Sequence, residues 1–308
     1  MTNEQKKTSI GGSALIEGVM MRGPHVTAMA VRKPDQTLDI TEWRNSDKKP
    51  WYKTTPFVRG VFNFIDSMQL SYKCLMKSAE VAGIDDSEPS GFEKKLMDLF
   101  GDRFYTVFGG LAMVLGLAIA VGLFMVLPTF LIGLLRGFIT SVFIRSLIEA
   151  VTKIGIFVIY LFLVSRLSDI KRVFEYHGAE HKTIACYEAG EELIPENVKK
   201  HSRFHPRCGT SFIFIVLIVS VLVFSLVSWD NIAVRIALKL ICLPIVVGIA
   251  YEIIKLAGRY DNPVTKIISA PGMWLQRLTT NEPDISQIEA AIAAMLPCIP
   301  QNQQEDEW

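Results

Sequence analysis

Four of the five histidines in this 308-residue chain, His177, His181, His201 and His205, fall in one polar stretch. The first two belong to the string Tyr176-His-Gly-Ala-Glu-His-Lys182. Residues four apart on a helix share a face, so His177 and His181 project together with Glu180 beside them. Two neutral imidazoles at that spacing can bind one zinc or similar divalent ion. A neighbouring carboxylate can act as base toward a water whose pKa the metal lowers to about 7. The order His-x-x-Glu-His is also the inverted zinc-protease pattern. Glu180 is therefore the candidate catalytic group, and a divalent metal, zinc foremost, is the expected cofactor.

A second polar group follows, His201-Ser-Arg-Phe-His205-Pro-Arg-Cys208-Gly-Thr210. If the two groups converge, Cys208 as a thiolate, or His205, supplies a third metal ligand. Three protein ligands leave a position open for water, as catalytic zinc requires. The same residues also have plainer uses. Juxtamembrane histidines and basic residues contact lipid phosphates, Glu180 can pair with Lys182, and Cys208 can pack as a small buried residue. Cys186 falls off the shared histidine face, and Cys242 reads as packing. Five scattered cysteines form no paired framework and suit a reducing compartment.

Long apolar stretches must position these groups. A helix needs about 20 apolar residues to cross a bilayer core. Tyr105 to Leu127 meets this length, and Pro128 is expected to end or kink it. Phe130 to Phe143, cut by Arg136, reads as an interfacial or re-entrant piece. Ile144 to Val164 is a second span with Arg145, Glu149 and Lys153 near one end. Phe212 to Val227 is a third. Ile232 to Leu256 is a fourth, with Arg235 and Lys239 in its first turns, where they can snorkel. The expected fold is an α-helical integral membrane protein of about four transmembrane helices with a small N-terminal β-rich part.

Lys and Arg crowd the loop between spans two and three and are scarce on the other side. By the positive-inside rule that loop is cytoplasmic, as are both termini. That assignment depends on whether 128–146 crosses. The start, MTNEQKKTSI, is polar and carries no secretory signal. A net charge of +1 argues against a nucleic-acid partner. The expected partner is the lipid bilayer.

The organisation reads as a cytoplasmic region at 1–103, a transmembrane pair at 104–165 and a His-rich loop at 166–210. A second pair at 211–257 and a cytoplasmic region at 258–308 follow. Val26 to Arg32 and Thr37 to Trp43 are strand-like runs joined by a Pro-Asp turn. Gly11 to His25 reads as a glycine-punctuated turn, or alternatively as a segment that aims Glu17 and Arg22 at a site. Phe57 to Val81 is an amphipathic helix, and Asp85 to Gly91 an acidic loop. Ser286-Gln-Ile-Glu289 is a capping-box signature opening a helix through Met295. Disorder is expected from Gln301.

Several blocks resemble the YqhQ-type family of bacterial membrane proteins, labelled as predicted metal-dependent enzymes. They are Gly11-Gly-Ser-Ala-Leu-Ile-Glu-Gly-Val-Met-Met-Arg-Gly-Pro24, Tyr176 to Lys182, His205-Pro-Arg-Cys-Gly-Thr-Ser211 and Pro271-Gly-Met-Trp-Leu-Gln-Arg-Leu-Thr-Thr280, continued by Glu282-Pro-Asp284. The resemblance implies a multi-pass protein of a bacterial cytoplasmic membrane with a metal and supplies no substrate. It draws in Glu17, Arg22 and Thr279-Thr280 as polar positions within the blocks. Three functions remain open: a metal-dependent hydrolase at the cytoplasmic face, a non-catalytic scaffold or regulator with a structural metal or lipid-headgroup site, and a transporter component. The last ranks below the others because the span centres look nearly bare of ionisable groups.

Overall fold

The computed structural model describes residues 7–46, 50–83, 104–135, 137–139, 141–226, 231–260 and 262–306. The expected acidic loop at Asp85 to Gly91 lies outside them. The chain divides into two compact units. The first comprises Met1–Ile84, Leu161–Ser220 and Pro244–Trp308, and the second Asp85–Tyr160 and Val221–Leu243.

The first unit begins with a four-stranded antiparallel meander: β1 Gly11–Leu15, β2 Gly18–Arg22, β3 Val26–Arg32 and β4 Leu38–Arg44. The last two match the expected strand pair. The first two form a hairpin where a turn was expected. Its two-residue link, Ile16-Glu17, puts Glu17 at φ 51°, a left-handed conformation uncommon for a residue with a side chain. No Asn-Gly or Asp-Gly pair announces this turn.

Both faces of β2 and β3 are covered, so their side chains read as nearly unbroken apolar runs. Val19, Met21, Ala28 and Ala30 face one cluster with Tyr176, Ala179, Ile288, Ala291 and Met295. Met20, Met29 and Val31 join Leu15 and Cys74 in the other. The second cluster lies under α1, Val58–Val81, the amphipathic helix the spacing predicts.

The first cluster lies between the sheet, α5 (Ser168–Glu188) and α10 (Ile285–Met295). The expected His-rich loop thus opens with a 21-residue helix whose second half is buried. For α10 the box is two residues earlier than the sequence signature: Asp284 caps the helix and accepts from Gln287 N at 2.9 Å. The Gln287 side chain accepts in return from Asp284 N. Ser286 and Glu289 are committed elsewhere: the Ser286 hydroxyl donates to Asp284, and Glu289 meets Arg32 at 3.2 Å. The tail beyond Gln301 is placed up to Asp306, contrary to the disorder expected. Buried Asp306 accepts from the Thr8 hydroxyl at 2.5 Å and from Ser9 N at 3.1 Å. Those contacts supply the order that composition alone did not reveal.

The short α6 spans Pro195–Val198, and α9 spans Pro263–Thr279. Asn262 and Thr265 close a capping box at the start of α9.

The apolar helices are α2 (Phe104–Val121), α3 (Leu127–Leu134), α4 (Val142–Val164), α7 (Gly209–Ser225) and α8 (Ile232–Arg259). A π-helical turn at Gly122–Val126 joins α2 to α3. Pro128 does not end the helix. Leu127 N bonds back to Gly122 O, and this wider turn absorbs a proline that lacks its own N–H. Phe130 to Leu134, expected to be interfacial, therefore continues the first helix. Three helical stretches are long and apolar enough to cross a membrane: Gly110–Leu134, Ile144–Val164 and Ala233–Arg259. The third expected span, α7, has 17 residues and falls short of that length among the described residues.

The second unit corrects the snorkelling expectation. Lys239 is 1% exposed, and with Arg235 it turns inward to Glu149. A carboxylate within reach outweighs extension toward water.

The capping geometry of α10 separates two neighbouring residues. Asp284→Ala should lower unfolding stability by about 1 kcal/mol. Ser286→Ala should cost clearly less, and thermal melting of the two variants checks the order.

Candidate metal centre

Helix α5 carries the His-x-x-Glu-His string through the buried half of the first unit. Strand β1 and the end of α9 close over it. His177 Nδ1 lies 2.8 Å from Thr279 O, and His181 Nδ1 lies 2.6 Å from Arg203 O. A carbonyl oxygen only accepts, so both Nδ1 atoms carry and donate a proton. That fixes each ring and leaves Nε2 as the free donor atom. Thr279 O is available for a simple reason. It belongs to the last turn of α9, and the residue four further on is Pro283, which has no N–H.

The loop from 199 to 208 is pinned at three points. Lys182 donates to Lys199 O at 3.1 Å and His201 O at 2.8 Å. Arg203 donates to Thr280 O. Buried Gln276 of α9 pairs with the backbone of His205, accepting from its N at 2.8 Å and donating to its O at 2.7 Å. Cys208, just before α7, is thereby delivered to the histidine pair. Its Sγ is 3.3 Å from His177 Nε2 and also meets Thr210 Oγ1 at 3.0 Å. One donor atom from each of His177, His181 and Cys208 lies within 4.8 Å of the other two.

The electrostatics follow from this placement. Burial opposes the Cys208 thiolate, but the His181 and His177 imidazoles outweigh it and hold Cys208 well below the usual thiol range. The beginning of α7 next to it also favours negative charge. Burial likewise opposes charge on His177. The neighbouring Cys208 wins, and His177 is pushed up to about 9. Glu180 is raised, chiefly by burial, against the pull of His177 and His181. Its Oε2 is buried with no hydrogen-bond partner among the described residues. Gly12 of β1 makes room for this carboxyl. A Cβ there would sit 2.9 Å from both Glu180 Cγ and Cδ.

His205 is turned elsewhere. Its Nε2 lies 3.3 Å from Glu188 Oε2, and Glu188 also takes Arg207 and the Thr8 N–H. Glu188 is held below the usual carboxylate range, burial being overcome by His205 and Arg207. His205 is lowered by burial, which outweighs the pull of Glu188. Glu17 is bound by Arg172, with one contact at 2.5 Å, and by the Tyr176 hydroxyl at 3.3 Å. It thus stands by α5 just before His177. Arg22 is exposed at the end of β2. Thr279 and Thr280 contribute backbone carbonyls to the centre and its loop. Sequence reasoning missed Arg203 O and Thr279 O because a backbone acceptor leaves no residue-type signal. Gln276 lies within a recognised block, and a buried amide in an amphipathic helix was the available clue.

A second donor group comprises Cys186, Glu191 and His201. Burial pushes the Cys186 thiol up to about 11, and its Sγ points at Glu192 O, 3.7 Å away. That is a protonated thiol acting as a weak donor, unlike Cys208.

Residues 55–301 match a family model described as a protein of unknown function, DUF1385. The chain is 35% identical over 295 residues to the "Uncharacterized protein YqhQ" of Bacillus subtilis (strain 168). The alignment covers 95% of this chain and 92% of that relative. No solved structure matches.

Gly178, between the first ligand candidate and Ala179, touches the α9–α10 link. A Cβ at this position would lie 2.0 Å from Asn281 O. Gly178→Ala should therefore displace the link that carries the Thr279 carbonyl and cost about 1–3 kcal/mol. Thermal melting reads the loss. Unchanged stability would mean that the link moves freely and does not orient His177.

Proposed function

The chain belongs to the DUF1385 family of proteins of unknown function, and we propose that it is a membrane-bound, metal-dependent hydrolase with its centre at His177, His181 and Cys208. The observation that carries the reading is the pair of Nδ1–H donations to backbone carbonyls, which free two Nε2 atoms beside a thiolate. Two imidazoles and one thiolate are a donor set suited to zinc. The unpartnered Glu180 Oε2 beside them supports the fit. It is a buried acceptor that lacks what a polar ligand at the fourth position would give it.

A divalent cation held by His177, His181 and Cys208 would supply Lewis acidity and lower the pKa of water beside it. The chain's own residues do the rest. Thr279 O and Arg203 O hold the two rings in place. Cys208 offsets the cation's charge. Glu180, whose pKa burial raises, would as a carboxylate take a proton from the attacking water and return it to the leaving group.

The reading places the centre on the cytoplasmic face. Its supports are the three long apolar helices, with α7 as a shorter fourth crossing, and the Lys and Arg excess between Val164 and Gly209. The expected substrate is an ester, amide or phosphate-type bond presented near the lipid interface. Burial favours a second reading. His181 is 1% and Glu180 5% exposed, which suits a structural clamp in which Glu180 fills the fourth position.

Elemental analysis of protein purified without chelators decides first. About one divalent metal per chain is expected in the wild type and none in His177→Ala/His181→Ala. Glu180→Gln then separates the two readings. A hydrolase keeps its metal and loses about 10²–10⁴-fold in turnover on an ester and phosphoester panel. A clamp loses metal affinity instead. Metal-free wild type would overturn both.

A further inference from the structure

Helix α9 is amphipathic in the reverse sense. A helix on a body surrounded by water turns its apolar side inward. Here Thr265, Ser269, Gln276 and Thr279 face the interior of the first unit, and Gln276 is 0% exposed. The other side carries Val264, Ile267 and Trp274, with Ile267 72% and Trp274 52% exposed. Steps of three and seven residues keep these three on one stripe of the helix.

The place of α9 in the chain says what covers that stripe. It begins three residues after α8, one of the helices long and apolar enough to cross a membrane. Asn262, in extended conformation, breaks the path between the two. Nine residues into α9, Gly272 meets the first turn of α7, where an added Cβ would lie 2.4 Å from Ser211 Oγ. On the membrane reading these are the cytoplasmic ends of α8 and α7, so α9 runs along one face of the bilayer. The exposed apolar surface is continuous from Leu256 of α8 through Tyr260 onto the stripe. α1 meets α7 at the same level, with Phe64 and Phe212 ring centroids 5.5 Å apart, and it exposes Phe62, Ile65 and Met68. Within Pro263–Thr279 the charged residues are Lys266 and Arg277, both positive. The cytoplasmic leaflet is the anionic one.

We propose that α9 lies flat in the headgroup layer of the cytoplasmic leaflet, with Val264, Ile267 and Trp274 in the acyl boundary and Lys266 and Arg277 among the lipid phosphates. Helices of this kind sink their apolar side about 5–10 Å into that boundary. A tryptophan suits the depth, because its ring is apolar and its N–H meets water. The same helix holds the candidate metal centre from its inner side, where Gln276 fixes His205 and Thr279 O orients His177. The centre then stands about one helix diameter, roughly 10 Å, from lipid. The inference rests on the membrane reading and goes beyond it, since a chain can span a bilayer and still keep such a helix in water or under another protein.

The test uses the full chain in vesicles of phosphatidylglycerol and phosphatidylcholine and follows tryptophan fluorescence. The difference between the wild type and Trp274→Phe isolates the Trp274 ring. Lipids with a nitroxide high on the acyl chain should quench that ring more strongly than lipids with the nitroxide at the chain end. Aqueous acrylamide should quench it weakly. Val264→Glu/Ile267→Glu should lose the lipid quenching and gain the aqueous one, while staying with the vesicles through an alkaline wash. His177→Ala/His181→Ala should behave as the wild type does, which separates this outcome from the fate of the metal reading. Strong acrylamide quenching of Trp274 in the wild type overturns the proposal, because the stripe then faces water. A ring that neither quencher reaches also overturns it and assigns the stripe to a second copy or another protein. So does a double variant that keeps the lipid quenching of the wild type. A wild type that alkali strips from the vesicles overturns the membrane reading itself.

Discussion

Two carbonyl oxygens left over from other elements make it possible to bury the histidines of α5. A buried imidazole N–H without an acceptor costs about 1–3 kcal/mol. Thr279 at the end of α9 and Arg203 in the loop before α7 meet that need for His177 and His181. Once the Nδ1 protons are committed, the rings cannot turn without breaking a buried hydrogen bond. Their Nε2 atoms then share the space that Cys208 enters. Gln276 extends the same logic one step outward, because its amide fixes the backbone of the segment that delivers the thiol.

The family match begins at residue 55, yet the sheet before it is part of this arrangement. β2 and β3 form one wall of the cluster that holds α5 and α10. β1 contributes Gly12, against which the Glu180 carboxyl rests. The sheet is therefore a support for the centre, and its two covered faces explain why strands so short are so apolar. Burial also raises Glu180 and opposes charge on Cys208 and His177, a cost offset at Cys208 by His181 and His177 and at His177 by Cys208.

Spacing along the chain revealed what is local. The His177–His181 pair shares a helix face, α1 follows its periodicity, and the apolar lengths of three helices were readable. The approach of Cys208 was a guess about convergence that no periodicity contains. The hairpin of β1 and β2 was hidden because its turn uses Glu17 at a positive φ without a turn dipeptide. The cap of α10 was displaced because Asp284 and Ser286 both begin plausible boxes, and tertiary partners such as Arg32 decide between them. Pro128 does not end its helix because a π turn upstream, invisible in composition, accommodates it. The charges of α4 and α8 read as end-of-span residues. Only their mutual approach shows them gathered around Glu149.

The tie between Thr8 and Asp306 bears on how this protein can be handled. Thr8 donates its backbone N–H to Glu188 and its hydroxyl to Asp306, and Glu188 in turn holds Arg207 and His205. Segments almost three hundred positions apart thus converge on the stretch that leads to Cys208. A fusion or affinity handle attached close to either segment pulls on that stretch, so the short segment that ends in Asp306 behaves as a strap across the first unit.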